Sequence, residues 1–540
     1  MGANLADYVR DSAESRPAHP ALIEGDRSLT WLDVDRSVDA IASGLRSLGL
    51  SIGERVGLIV GNHVEFVTAY FGALRAGLVV VPLNPGYTRT ELDHALHDAG
   101  ATAVIAEESV LDTVRPFVAA ASAVLVVTNG RAGPGEHALA DVAMTGRAAG
   151  VVAEETDPEQ LAVVLYTSGT GGRPKGAMLT HRALRASIEQ VAQVDPAVVA
   201  ADDVVLIVLP LFHVYTLNGT MGAWAREGAT ALLADRFDAD QTLALVAAHG
   251  ITNIPAAPPV WRAWADRDDL ARRLIGVRLL FSGAAPLPAT VLERIKKSSG
   301  VALYEGYGLT EAAPGVTSTI VSGRPKAGSI GRPFPGVELR LLDEDGDEVE
   351  PGDPGEIWVR GQNLFSGYWP DGSGGTDADG WFATGDVAYA DDDGDLVLVD
   401  RRKELVLVNG FNVYPREVEE VLQTVPGIAE AAVVGIPDDR TGEAVKAFVV
   451  ASDPSLTPQQ IAEQAALSLA RFKRPTVIEL VSELPHSVTG KVAKGRLRRD
   501  AEAEAGVGSP GGAESPGGAE SSGGAESSGG AESSGGAESP

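Results

Sequence analysis

From Leu165 the chain reads "LYTSGTGGRPKGAMLTH", four glycines, three threonines and one proline around a single lysine. Backbone without Cβ can turn successive N–H groups inward onto an anion, and hydroxyls and an ammonium strengthen such a cradle. Thr167, Ser168, Gly169, Thr170, Gly171, Gly172 and Lys175 are therefore candidate phosphate ligands. The loop is not a Walker A, because Lys175 follows Pro174 and precedes Gly176 where that pattern needs Gly-Lys-Ser/Thr. Taken alone, the string also suits a surface turn.

Four further strings carry groups of the same kind. "YEGYGLTEAAP" sets Tyr307, Gly308, Thr310 and Glu311 together, and a carboxylate beside a hydroxyl can hold Mg²⁺ against phosphate oxygens. "WFATGDVAYADDDGDLVLVDRRKELV" carries Asp386, Arg401 and Lys403, and a carboxylate can accept both hydroxyls of a ribose. "LPHSVTGKVAKGRLRRD" puts Lys491 on a Ser/Thr/Gly turn. "LPLFHVYTLNG" ends an apolar run with His213. Each string alone has an ordinary structural reading: a turn, an acidic hairpin, a basic helix start, a packed histidine.

The elements around these strings are of two kinds. "RVGLIVG", "GLVVVPL", "AVLVVT" and "DVVLIVLPL" are short β-branched runs, with helical-period segments such as "VEFVTAYFGALRAG" between them. Continuous apolar strands alternating with helices predict a parallel sheet covered on both faces. From Phe334 the strands alternate and meet at Asp-Gly turns, which predicts hairpins and a smaller barrel-like subdomain. After Asp400 a compact α+β stretch follows, with a helix over "YPREVEEVLQTVPG". The fold class expected is α/β, a large N-terminal domain of parallel-sheet subdomains over 1–400 and a small α+β domain over 401–505. Residues 506–540 repeat Gly-Gly-Ala-Glu-Ser with no aromatic or large aliphatic residue after Val507 and are expected to be disordered.

Composition narrows the classes. A net charge of −30 argues against a nucleic-acid binder. The chain has no cysteine, which removes disulfides, thiolate catalysis and Cys-based zinc sites. Its first residues carry Asp7 and no long apolar core, and its longest apolar stretch contains Pro210 and His213, so a cytoplasmic protein without integral membrane association is expected.

In their shared order these strings resemble the acyl-adenylate-forming superfamily of acyl-CoA synthetases, luciferases and peptide-synthetase adenylation domains. "AYFGALRAGLVVVPLNPGYT", "YTSGTGGRPKG", "PLFHVY", "FSGAAPLP", "GYGLTE", "TGD", "DRRKELVLVNGFNVYPREVEEVL" and "LPHSVTGK" carry the resemblance, which spans everything but the tail. One departure is Gly171, where the loop usually has a second threonine. The resemblance implies two half-reactions. A carboxylate attacks the α-phosphate of ATP to give acyl-AMP and pyrophosphate, and the CoA thiol then displaces AMP.

It also implies roles. Lys491 bridges the carboxylate and α-phosphate, the 167–175 loop holds pyrophosphate, and Glu311 binds Mg²⁺ as the metal ligand. Gly283, Ala284, Ala285 and Tyr307 flank adenine, Thr310 meets the α-phosphate, and Asp386 and Arg401 bind ribose. Lys403 is the hinge, Gly410 lines the pantetheine channel, and His213 stands beside the acyl carbonyl. Amino-acid-activating relatives have Asp after that gate; here it is Val214. Tyr215, Leu217 and Gly222 are read as an apolar acyl pocket for a medium- or long-chain fatty acid. The alternatives are an aryl or hydroxycinnamate acid, a carrier-protein acceptor in place of CoA, and an inactive scaffold; the oligomeric state stays open.

Overall fold

The computed structural model describes residues 3–150, 156–167, 174–401, 404–408, 411–438, 440–486 and 491–504. The expected hinge Lys403, Gly410, loop residues Ser168, Gly169, Thr170, Gly171 and Gly172, and the 506–540 tail lie outside them.

Two parallel-rich sheets form the bulk of the molecule. The first has seven strands in the order 137–138, 124–127, 101–106, 55–59, 79–82, 161–167 and 175–180, parallel except for the last pair. Val79–Pro82 is buried along its whole length, which is why its sequence is apolar without alternation. Val64–Arg75, the helix between two of these strands, is buried on nearly every side.

The second sheet has nine strands in the order 332–333, 315–318, 303–308, 279–282, 253–256, 204–207, 230–233, 20–24 and 27–30. Its far edge is supplied by the chain's first two strands, Pro20–Glu24 lying parallel to Thr230–Leu233. That long-range pairing ties the two sheets into one core, where Trp31 stacks on Trp224 with ring centroids 4.4 Å apart.

The alternating segment after Phe334 forms a four-stranded antiparallel sheet, 338–342, 355–360, 382–390 and 396–401. Beyond it, the strands 406–408, 411–413, 428–438, 442–451 and 477–480 make a separate five-stranded sheet. Helix Pro415–Gln423 covers that sheet, with Pro415 in its first turn where no N–H is needed. Among the described residues, two apolar clusters contain only residues from Val406 onward, while the other three end at or before Leu398.

Candidate active site

A cleft opens at the carboxyl ends of three neighbouring parallel strands, Asn253–Ala256, Leu279–Ser282 and Leu303–Gly308. Ligands of open α/β sheets bind at this edge, because the turns leaving the strands present backbone groups there. His213, Tyr215, Gly283, Ala284, Tyr307, Gly308 and Thr310 line the cleft, and Lys491 reaches it from the C-terminal segment.

The turn after Leu279–Ser282 carries the first unusual feature. Ala284 has φ of +69°, a conformation that costs an L-residue about 1 kcal/mol or more. Ala285 follows it, half-buried and outside the lining. On the next strand, a Cβ at Gly308 would sit 2.0 Å from the Pro314 carbonyl oxygen, so the strand can approach the 313–315 turn only with glycine there. Leu309 N–H donates to the same carbonyl at 3.1 Å and sets the 310–312 turn that presents Thr310 and Glu311.

Three side-chain links join the separate strings. Tyr307 Oη donates to Asp386 Oδ2 at 2.6 Å, and Asp386 is 6% exposed. Asp386 pairs across the antiparallel sheet with Arg401, whose side chain lies outside the described part. Tyr368 Oη donates to Glu311 Oε1 at 2.6 Å, and Lys175 Nζ stands 5.1 Å from the centre of the Tyr368 ring.

Tyr368 therefore bridges the loop lysine to the acid expected to hold a cation. Burial and the Glu311 carboxylate both raise its pKa, so it stays a hydrogen-bond donor. Sequence reading missed it, although "GQNLFSGYW" marks the place. This segment is stapled by Trp369 N–H to the Gly176 carbonyl and by Phe365 N–H to the Glu311 carbonyl. The two described ends of the glycine-rich loop, Thr167 and Lys175, face each other as the last pair of their hairpin.

His213 stands at the start of the wide helical turn Tyr215–Thr220. Its carbonyl accepts from Thr216 and Leu217 N–H, and its Nδ1 accepts from Tyr215 N–H at 3.3 Å. Burial, and then repulsion from the Lys491 ammonium, push its pKa down to about 4. The imidazole is thus neutral at pH 7, a polar wall group rather than a second cation.

The acyl-pocket reading needs one correction. Tyr215 does line the cleft, but Leu217 is fully buried in the core, and a Cβ at Gly222 would meet Ile188 Cδ1 at 2.5 Å. Gly222 faces helix His181–Val191 on the other side of the turn. The apolar wall comes instead from Val191, Val198, Val199, Val214 and Phe334.

Behind the cleft lies Glu305, 3% exposed on the strand that carries Tyr307. Its Oε1 accepts from Leu287 N–H at 3.0 Å, and its Oε2 has no hydrogen-bond partner among the described residues. Burial raises its pKa to about 7, against the pull of the Leu287 N–H and of Arg416 in the C-terminal segment. An acid raised in the folded state binds more protons folded than unfolded between pH 4.5 and 7, so stability falls as pH rises through that window. Glu305→Gln keeps the Leu287 acceptor and removes the buried charge. It should raise the melting temperature at pH 8, by at most about 3 kcal/mol of stability, and change it little at pH 5. Melting curves of both proteins at the two pH values check this.

A cleft at the carboxyl edge of a parallel sheet, with a lysine from the C-terminal segment in its lining, is the small-molecule site of an α/β protein. The chain belongs to the AMP-binding enzyme family: that family's profile matches residues 9–369, and the AMP-binding enzyme C-terminal domain matches 417–491. It is 34% identical over 537 residues to a Yersinia pestis long-chain-fatty-acid–CoA ligase, covering 93% of this chain and 95% of the relative. It is 36% identical over 524 residues to 4-coumarate–CoA ligase 5 of Oryza sativa subsp. japonica, covering 94% and 95%. The crystal structure of ATP-bound MatB from Rhodopseudomonas palustris superposes with a TM-score of 0.86 at 31% identity, covering 93% of this chain and 99% of that one. The apo structure of the same protein superposes at 0.75.

Proposed function

We propose that the chain is an ATP-dependent, AMP-forming acyl-CoA ligase whose acid is a medium- or long-chain fatty acid. The observation that carries this is the meeting of Lys491 with His213, Thr310 and Tyr307 in one cleft whose far wall is apolar. A carboxylate is a poor electrophile because its leaving group would be oxide. Its attack on the α-phosphorus of ATP forms a P–O bond, expels pyrophosphate and leaves an acyl-AMP. The CoA sulfur then attacks the acyl carbon, the C–O bond to AMP breaks, and the thiol proton leaves to solvent.

The chain's own groups divide this work. Lys491 neutralises the approaching anions, which must otherwise repel each other. Tyr307 presents a flat face for adenine, and the Asp386 carboxylate it orients is placed for ribose hydroxyls. Lys175 and the 167–175 loop take the pyrophosphate. Glu311 and the Thr310 hydroxyl offer hard oxygens of the kind Mg²⁺ prefers, and Tyr368 fixes the Glu311 carboxylate. When bound there, Mg²⁺ supplies charge neutralisation at the phosphates. His213, neutral, borders the acyl carbonyl.

The second half-reaction needs the cleft cleared of Lys491, which we assign to rotation of residues 401–505 about Lys403. The separation of apolar clusters between Leu398 and Val406 supports two units joined by few residues. The better superposition on ATP-bound than on apo MatB accords with a state set up for the first half.

Val214 and the valine-rich wall favour an aliphatic acid; the rice relative keeps an aromatic acid as the second reading. Among the described residues no helix is long and apolar enough to cross a membrane, and we place the enzyme in the cytoplasm. AMP release measured with ATP, Mg²⁺ and CoA across acetate, octanoate, palmitate, benzoate and coumarate tests the assignment. Turnover of octanoate or palmitate that requires CoA is expected. Turnover of coumarate or benzoate alone contradicts the acid class, pyrophosphate release indifferent to CoA points to a carrier-protein acceptor, and nucleotide binding without release to a scaffold.

A further inference from the structure

We propose that Arg262 is a positioning residue for adenylation: through Glu430 and His486 it pins the hairpin that carries Lys491. The inference rests on the role given to Lys491 above. Arg262 lies on helix Pro258–Ala265, which directly follows the strand whose Asn253 and Pro255 line the cleft. Its Nη1 donates to Glu430 Oε1 at 3.2 Å, and His486 Nε2 lies 2.9 Å from the same oxygen. One carboxylate oxygen thus joins the helix that follows a cleft strand to the C-terminal segment. Glu430 is aimed by an irregularity in strand pairing between Ile428 and Glu430, and its side chain is 16% exposed.

His486 is the near end of a short hairpin. It pairs with Val492, and the Pro485 carbonyl accepts from Ala493 N–H at 2.7 Å. Lys491 immediately precedes Val492 in that closure. The far side is held within the C-terminal segment by Lys494, whose Nζ lies 2.9 Å from Glu419 and 3.3 Å from Glu404. Lys494 therefore shapes the hairpin, whereas Arg262 fixes where the hairpin stands relative to the cleft. A lysine side chain has many rotamers, so a charge aimed at one spot needs its backbone held. The rotation proposed above would break this contact as it withdraws Lys491 from the cleft, so its loss acts on one half-reaction.

Single-turnover assays on the full chain separate the two halves: acyl-AMP formation from ATP, Mg²⁺ and the acid that gives turnover, and CoA transfer from preformed acyl-AMP. Arg262→Ala should slow acyl-AMP formation about threefold to tenfold, as expected for a partly exposed ion-pair network, and leave CoA transfer unchanged or faster. Arg262→Lys should recover most of the loss, and Glu430→Gln should reproduce it. In a Lys491→Ala background, adding Arg262→Ala should not slow acyl-AMP formation further, because the contact acts on that step through Lys491. Equal slowing of both halves, unchanged acyl-AMP formation, or a full additional loss in the Lys491→Ala background would overturn the proposal. Full-rate adenylation by Lys491→Ala alone would overturn the reading beneath it and this one with it.

Discussion

Lys491→Ala should cut acyl-AMP formation by at least about 100-fold while CoA transfer from preformed acyl-AMP stays within about threefold of wild type. The asymmetry follows from geometry. Lys491 enters the cleft beside His213, close enough for its charge to lower the histidine's pKa. A cation there stabilises two anions closing on each other, a situation that exists only in the first half-reaction. In the second, the nucleophile is sulfur and the same side chain would stand in its path. Pyrophosphate release with ATP and acid, set beside thioester yield from supplied acyl-AMP, measures the two separately. Equal loss of both would remove Lys491 from this role.

Glu311→Gln should raise the Mg²⁺ concentration needed for half-maximal pyrophosphate release by about 10- to 100-fold. The substitution preserves the acceptor for Tyr368 Oη and removes only the charge, so the turn that presents Thr310 and Glu311 should keep its shape. Tyr368→Phe should move the same midpoint in the same direction by less, because it frees the carboxylate without neutralising it. A Mg²⁺ titration of pyrophosphate release on the three proteins checks both statements, and an unchanged midpoint in Glu311→Gln would place the cation elsewhere.

The architecture was largely readable from local pattern. Fully apolar β-branched runs such as Val79–Pro82 can be stable only with both faces covered, and Pro415 and Gly427 bracket a helix by their backbone preferences. The pairing of Pro20–Glu24 with Thr230–Leu233 was not, because no local signal tells a strand which sheet to join 209 residues away, as from Leu22 to Ala231. The strings that line the cleft were legible through their shared order, which carries the family resemblance, and not through any one string; the structure hydrogen-bonds Tyr307 to Asp386 and sets Lys491 and His213 in one cleft.

What escaped was of two sorts. Tyr368 and Arg262 act through a neighbour rather than on a ligand, so neither carries a spacing pattern of its own. Leu217 and Gly222 were near the right place in sequence, yet a helical turn sends successive residues to opposite sides, and theirs is the core side. Glu305 shows the same limit from the other direction: nothing in "YEGYGLTE" distinguishes the acid that is buried behind the strand from the one that faces the cleft.

The path of the carboxylate oxygens tests the acyl-adenylate account most directly. With both oxygens of the acid labelled with ¹⁸O, one turnover in the presence of ATP, Mg²⁺ and CoA should leave one label in the phosphate of AMP and one in the thioester carbonyl. Label in pyrophosphate or inorganic phosphate, or AMP free of label, would contradict attack of the carboxylate on the α-phosphorus.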